Sequence, residues 1–108
     1  MKKVILSLFL LLSLTGCIDK ASDFDLLKLK GEQGDISAQY SLGLSYWNGQ
    51  DFKEAFKWFL LVSSNSTGEV FDEASKSRDD ARKELTQSQI EEATREAEEI
   101  QKRIDEKE

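Results

Sequence analysis

The sequence predicts an all-α chain of about five helices, and three observations carry that reading. There is no proline and there are only 6 glycines in 108 residues, so little interrupts a helix. Apolar residues recur at three- and four-residue spacing from Phe24 to Ile104, the period of one helical face. Short polar or glycine-containing clusters divide this stretch into helix-length pieces. A chain of this length has room for one small domain.

Composition also excludes chemistry. With no histidine, neither a Ser-His-Asp triad, a Cys-His dyad nor a His-ligated zinc site can form. The lone Cys17 permits no intrachain disulfide and no cysteine-rich metal site. A net charge of −6 opposes binding to a phosphate backbone. No metal, cofactor or nucleic acid is expected.

The N-terminus reads as an address. Lys2 and Lys3 precede an apolar run from Val4 to Leu14, broken only by Ser7 and Ser13. A bilayer-spanning helix needs about 20 apolar residues, so the run is too short to span and fits the core of an export signal. The next residues, Leu14-Thr15-Gly16-Cys17, resemble the lipobox of bacterial lipoproteins: an aliphatic residue, two small ones, then cysteine. The resemblance implies diacylglyceryl transfer to the Cys17 sulfur, cleavage after Gly16, and a membrane anchor of acyl chains. A plain cleaved signal would leave a lone thiol in an oxidising compartment, which is a liability. Ile18, not aspartate, follows the cysteine; by the same resemblance this favours the periplasmic face of the outer membrane over the inner membrane. Loss of Lys2 and Lys3 leaves 13 basic residues against 21 acidic ones, so the net charge falls from −6 to −8. Such a surface is repelled by anionic headgroups, and acyl chains must hold it.

The predicted layout is a lipoprotein signal peptide at 1–16, a lipidated polar tether at 17–23, a helical domain at 24–104 and a disordered charged tail at 105–108. Phe24, Leu26 and Leu27 begin a short first helix to Lys30, ended by Gly31 and Gly34. Ser37 to Trp47 is the second helix, and Asn48-Gly49-Gln50-Asp51 is a tight turn. Phe52, Ala55, Phe56 and Phe59 fall on one face of a third helix that runs to Ser63. Ser64 to Gly68 is a loop. Phe71, Ala74, Arg78, Ala81 and Leu85 make a stripe on a fourth helix, Val70 to Leu85, in which the Arg78 stem packs and its charge reaches water. Thr86 with Gln89 makes a capping box for a fifth helix that ends near Ile104. Ile90, Ala93, Ala97, Ile100 and Ile104 form its seam. Glu91–Arg95, Glu98–Lys102 and Glu99–Arg103 are i, i+4 pairs on its solvated face.

Helices two and three carry Ala38, Leu42, Gly43, Tyr46 and Gly49, then Ala55, Trp58 and Phe59. Ala38, Gly43 and Ala55 are small enough to let the paired helices approach. Leu42 and Tyr46 point into the gap beside Trp58 and Phe59, and Gly49 permits the turn. This pattern resembles the Sel-one-like repeat, a relative of the tetratricopeptide repeat. Glu32 to Asp35 resembles the junction between successive repeats, and Asp80 to Ala97 resembles the family's closing helices. The turn between the paired helices is shorter than the family's usual one. The resemblance implies a short right-handed solenoid of antiparallel helix pairs. One repeat cannot bury its own face, so helix one stands in for a preceding unit and helices four and five form a cap.

Tyr40, Leu44 and Trp47 form a second apolar stripe on helix two, at i, i+4 and i+7. In the resembled families that side lines a groove where protein segments dock, and aromatic side chains there serve as anchors. The competing reading is that helix one folds over them. The adjacent pairs Asp79-Asp80, Glu91-Glu92 and Glu98-Glu99 point about 100° apart and do not converge on one atom. No catalytic residue is expected. The leading expectation is a tethered interaction module for an envelope or secreted protein, with an immunity or inhibitor role as a narrower version. The alternative is a cell-wall-active enzyme or a cell-wall-binding accessory protein.

Lipidation has a direct check. Wild-type chain grown with labelled palmitate should take up label, and Cys17→Ser should take up none; equal label in both would remove the anchor.

Overall fold

The computed structural model describes residues 19–107; the predicted signal peptide at 1–16 and the predicted lipidation site Cys17 lie outside the described residues. Five helices follow one another: α1 (Asp19–Glu32), α2 (Ile36–Asn48), α3 (Phe52–Ser64), α4 (Gly68–Arg82) and α5 (Gln87–Glu106). Among the described residues there is no strand, and no helix is long and apolar enough to cross a membrane. Most helix ends extend a residue or two beyond their predicted limits, and the first helix gains the most. The first helix starts within the expected tether, at Asp19, and the last takes in Asp105 and Glu106 of the expected tail. A polar segment without breakers simply continues the helix beside it. The fourth helix instead stops at Arg82, and Leu85 lies in the connection, where it still packs on the core.

The helix ends show how local chemistry sets these bounds. Asp35 and Asp51 cap α2 and α3 by accepting from the backbone N–H of Ala38 (3.0 Å) and Glu54 (3.2 Å). Thr86 Oγ1 accepts from Gln89 N (3.1 Å) while Gln89 Oε1 accepts from Thr86 N (2.9 Å), the reciprocal pair of a capping box. At the end of α1, Gly34 takes a φ of +103°. Asp35 N there donates to Lys30 O (3.0 Å) and Gly34 N to Gly31 O (3.1 Å), a Schellman closure. The α2 end repeats this pattern with Asp51 N to Tyr46 O and Gln50 N to Trp47 O, both 2.9 Å. Its left-handed residue is Gln50, at φ +62°. Gly49 has an ordinary φ of −85°, so the turn does not draw on its freedom as the sequence suggested.

Packing centres on α3, which contacts α2, α4 and α5, while α1 rests on α2. Trp58 and Phe59 are neighbours in sequence and about 100° apart on the helix, so they enter two different clusters. Trp58 joins Leu42, Leu61, Ala97 and Ile100. Phe59 joins Ala55, Phe56, Ala81 and Ala93. Both aromatic residues are buried, as are Leu42, Ala55 and Val62. On α4, Ala74 and Ala81 hold the buried stripe, whereas Phe71 remains 41% exposed, contrary to its predicted place there. Arg78 lies along this side with its guanidinium 3.3 Å from Ser63 Oγ and 3.1 Å from Asp79.

Close approach explains two glycines. A Cβ on Gly43 would meet the Phe59 ring at 2.5 Å, and one on Gly31 would meet Leu42 Cδ1 at 2.7 Å and Trp58 at 3.2 Å. Gly31, expected to stop the first helix, lies inside α1 and serves the contact with α2 and α3. Glycine within a helix costs about 1 kcal/mol relative to alanine. Overpacking a core contact costs about 1–3 kcal/mol, so at these positions the contact outweighs propensity.

The acidic side of α5 is paired differently from expectation. None of the three predicted i, i+4 pairs closes among the described residues. Lys53 on α3 instead reaches Glu92 (3.1 Å) and Glu96 (3.4 Å), and Lys57 reaches Glu96 (3.5 Å) and Glu54 (2.9 Å). The hydrogen bond to Glu92 raises the Lys53 ammonium above its usual pKa, with support from Glu96 and against a smaller effect of burial. Lys57 also lies 5.4 Å from the centre of the Trp58 ring. These bridges join α5 to α3 in register with the apolar seam.

Urea denaturation of the full chain separates the roles of the glycines. Gly43→Leu should lower stability by about 1–3 kcal/mol or more, from overpacking against Phe59. Gly49→Ala should leave it unchanged or raise it by about 0.4–1 kcal/mol, because its backbone suits alanine. Equal losses in both would contradict the packing described. Glu96→Gln should cost about 0.2–1 kcal/mol in low salt and less as salt rises, whereas Glu99→Gln should change little.

Candidate functional site

A groove runs between α2 and α4. At one end a recess of about 490 Å³ is lined by Ile36, Ser37, Tyr40 and Ser41 from α2 and by Val70 and Glu73 from α4. At the other end a recess of about 150 Å³ is lined by Leu44, Trp47, Phe59, Ser77 and Asp80. The lining residues advance along both helices in the same sense, so α2 and α4 run parallel, with α3 behind them. The buried Phe59 ring lies under the groove, and Tyr40 leans on it with ring centres 5.7 Å apart.

The structure brings the predicted stripe together on this groove, but its members differ. Leu44 is 41% exposed. Tyr40 and Trp47 are half-buried and pack against the Phe59 cluster. Trp47 also stacks edge-on against Phe52, with ring centres 5.1 Å apart. Trp47 therefore has both a core side and a groove side.

Helix α1 lies elsewhere. Leu27 packs on the Trp58 cluster, and Phe24 meets Tyr46 edge-on at 5.8 Å. Gln39, fully buried, donates from Nε2 to Gly31 O at 2.9 Å and ties α2 to α1. These residues of α2 lie about 100° or more round the helix from Tyr40, Leu44 and Trp47, and among the described residues none of α1 lines either recess. Among the described residues, the first helix packs beside the stripe and not over it.

The remaining signature residues serve the fold. Ala38, Leu42, Gly43, Ala55, Trp58 and Phe59 are buried between helices. Tyr46 bridges the two clusters, and burial raises its hydroxyl pKa, reinforced by the carboxylates of Glu54, Asp51 and Glu32. Gly49 is exposed at the turn.

The members of the adjacent carboxylate pairs have separate partners or face solvent. Asp79 is engaged by Arg78 at 3.1 Å, Asp80 by Lys83 at 3.8 Å, and Glu92 by Lys53 at 3.1 Å. Glu91 accepts from Gln87 at 3.3 Å, and Glu98 and Glu99 face solvent. Glu73 and Asp80, the two carboxylates of the groove, are separated by seven residues, about 10.5 Å along the helix axis. Among the described residues, no cluster of three or more aspartate, glutamate, cysteine or histidine side chains is placed to hold a metal.

Sequence reasoning found the α2 wall and missed the α4 wall. Val70, Glu73, Ser77 and Asp80 recur at helical spacing, beside the Ala74–Ala81 stripe. The mixed polarity of that spacing gave no apolar signal, and only the parallel placement of α2 and α4 makes a wall of it. No family model, curated protein or solved structure matches this chain.

Proposed function

We propose that this chain is a lipid-anchored helical-repeat protein of the bacterial envelope that binds a segment of another protein between α2 and α4. The observation that carries the reading is the groove itself: apolar side chains line two recesses on a side that α1 leaves uncovered. Exposed Leu44 and Val70 there gain from burial against a partner. The anchor rests on Leu14-Thr15-Gly16-Cys17, and the outer membrane is the proposed address.

Within this reading α2 with α3 is one Sel-one-like pair, α4 with α5 is the next, and α1 is the second half of a preceding one. The parallel course of α2 and α4 supports a right-handed stack of pairs. The stronger packing of α5 on α3 than on α4 departs from an even stack and suits a closing cap. Binding, not turnover, fits a groove whose carboxylates are two turns apart. A partner toxin, neutralised as an immunity protein would do it, is a specific form of the same proposal.

The test is capture of envelope or secreted proteins by detergent-solubilised full chain, with thermal melts of each variant alongside. Leu44→Ser should change stability by about 0.5 kcal/mol or less, because the side chain is largely exposed, and should reduce capture. Trp47→Ala should cost about 1–3 kcal/mol in stability, given its half-buried ring. It should also weaken binding by about 2 kcal/mol as an anchor. Capture unchanged by both variants would reject the groove as the binding site.

A further inference from the structure

We infer that the groove between α2 and α4 takes a cationic, apolar segment of a partner protein: apolar side chains seated in the two recesses, with lysine or arginine beside Glu73 and Asp80. This rests on the groove reading above and adds the partner's charge pattern to it. Each recess combines apolar or aromatic side chains with one carboxylate, Glu73 in the larger and Asp80 in the smaller. Among the described residues, no lysine or arginine lines either recess. Lys83 lies 3.8 Å from Asp80, with a side chain 76% exposed and free to be displaced. An occupant with apolar groups alone would desolvate Glu73 and the loosely held Asp80 without a new partner, which is costly, and an acidic occupant would add repulsion. A basic occupant meets both carboxylates about 10.5 Å apart along α4, the reach of three residues in an extended segment.

The same charges disfavour the other occupants. A second copy of this chain brings a net charge of −6 toward an acidic wall. An anionic bilayer is repelled for the same reason. A basic segment is also steered toward the groove before contact, so the interaction should weaken as salt rises.

The experiment uses the full chain in non-ionic detergent and a short fluorescent peptide of leucine, lysine and glutamine, read by polarisation. Parallel peptides replace lysine with glutamate, or leucine with serine. The lysine–leucine peptide should bind best. Glu73→Gln and Asp80→Asn should each weaken it about two- to fivefold, and about tenfold together. Glu98→Gln with Glu99→Gln, which removes two charges outside the groove, should leave binding unchanged. Equal weakening by that control pair, or equal binding of the glutamate peptide, would overturn the inference. If Leu44→Ser and Trp47→Ala reduce binding while Glu73→Gln and Asp80→Asn do not, the charge pattern fails and the groove stands. If none of the four substitutions alters peptide binding, both fail. Sedimentation of the peptide-free chain adds one outcome: a dimer dispersed by Leu44→Ser would assign the groove to a second copy and overturn the proposal.

Discussion

The burial of α3 on three sides is the constraint from which the rest of the structure follows. A helix of 13 residues carrying Phe56, Trp58, Phe59, Leu61 and Val62 cannot stand at the edge of a small domain. Adjacent Trp58 and Phe59 project in different directions, so one neighbour cannot cover both. The chain answers with small residues on the surrounding helices: Ala38 and Gly43 on α2, Ala74 and Ala81 on α4, Ala93 and Ala97 on α5. Most of the large core side chains sit on the central helix, and the surrounding helices bring small residues beside Leu42 and Ile100. That division lets three helices approach the same core closely.

The groove is a by-product of the same arrangement. Because Gly43 brings α2 down onto the Phe59 ring, and Ala74 and Ala81 bring α4 close to α3, the two outer helices lie side by side over α3. Their facing sides are then left without a helix of their own. The tie from Gln39 to Gly31 O, with the Gly31 approach to Leu42 and Trp58, directs α1 to the opposite side of α2. One buried amide and one missing side chain thus decide that Tyr40, Leu44 and Trp47 face a recess. The cross-helix bridges of Lys53 and Lys57 act on α5, where an acidic helix would otherwise have only a narrow alanine and isoleucine seam to hold it. Such partly exposed pairs add little energy each, but they favour one register of α5 over its neighbours.

Much of the helix inventory was legible because its signals are local. The Thr86–Gln89 box needs four residues to be recognised, and its geometry is as the spacing predicts. The interior positions of Leu42, Ala55, Trp58 and Phe59 were legible because a continuous apolar face has few places to go. Among the glycines, the close approach at Gly43 was legible, whereas the roles of Gly31 and Gly49 were not. Gly31, Gly43 and Gly49 are alike in sequence, yet one accepts α2 and α3, one accepts Phe59, and one has an ordinary backbone while Gln50 takes the left-handed position. The predicted pairs Glu91–Arg95, Glu98–Lys102 and Glu99–Arg103 do not close among the described residues, and the bridges run instead from Glu92 and Glu96 to lysines of α3, which lie far away in sequence.

By itself the sequence determined an all-helical chain, most of its helix limits, the identity of its core and the apolar stripe at Tyr40, Leu44 and Trp47. Those properties follow from periodicity, capping and burial, each acting within a turn or two. Only the tertiary structure decided which side α1 covers, that α4 supplies the facing wall, and that α5 leans on α3. Those depend on which surfaces approach across long sequence separations. Two helix faces of equal hydrophobicity look the same in sequence, and the choice between them falls to a methyl-sized gap at a glycine and one buried hydrogen bond.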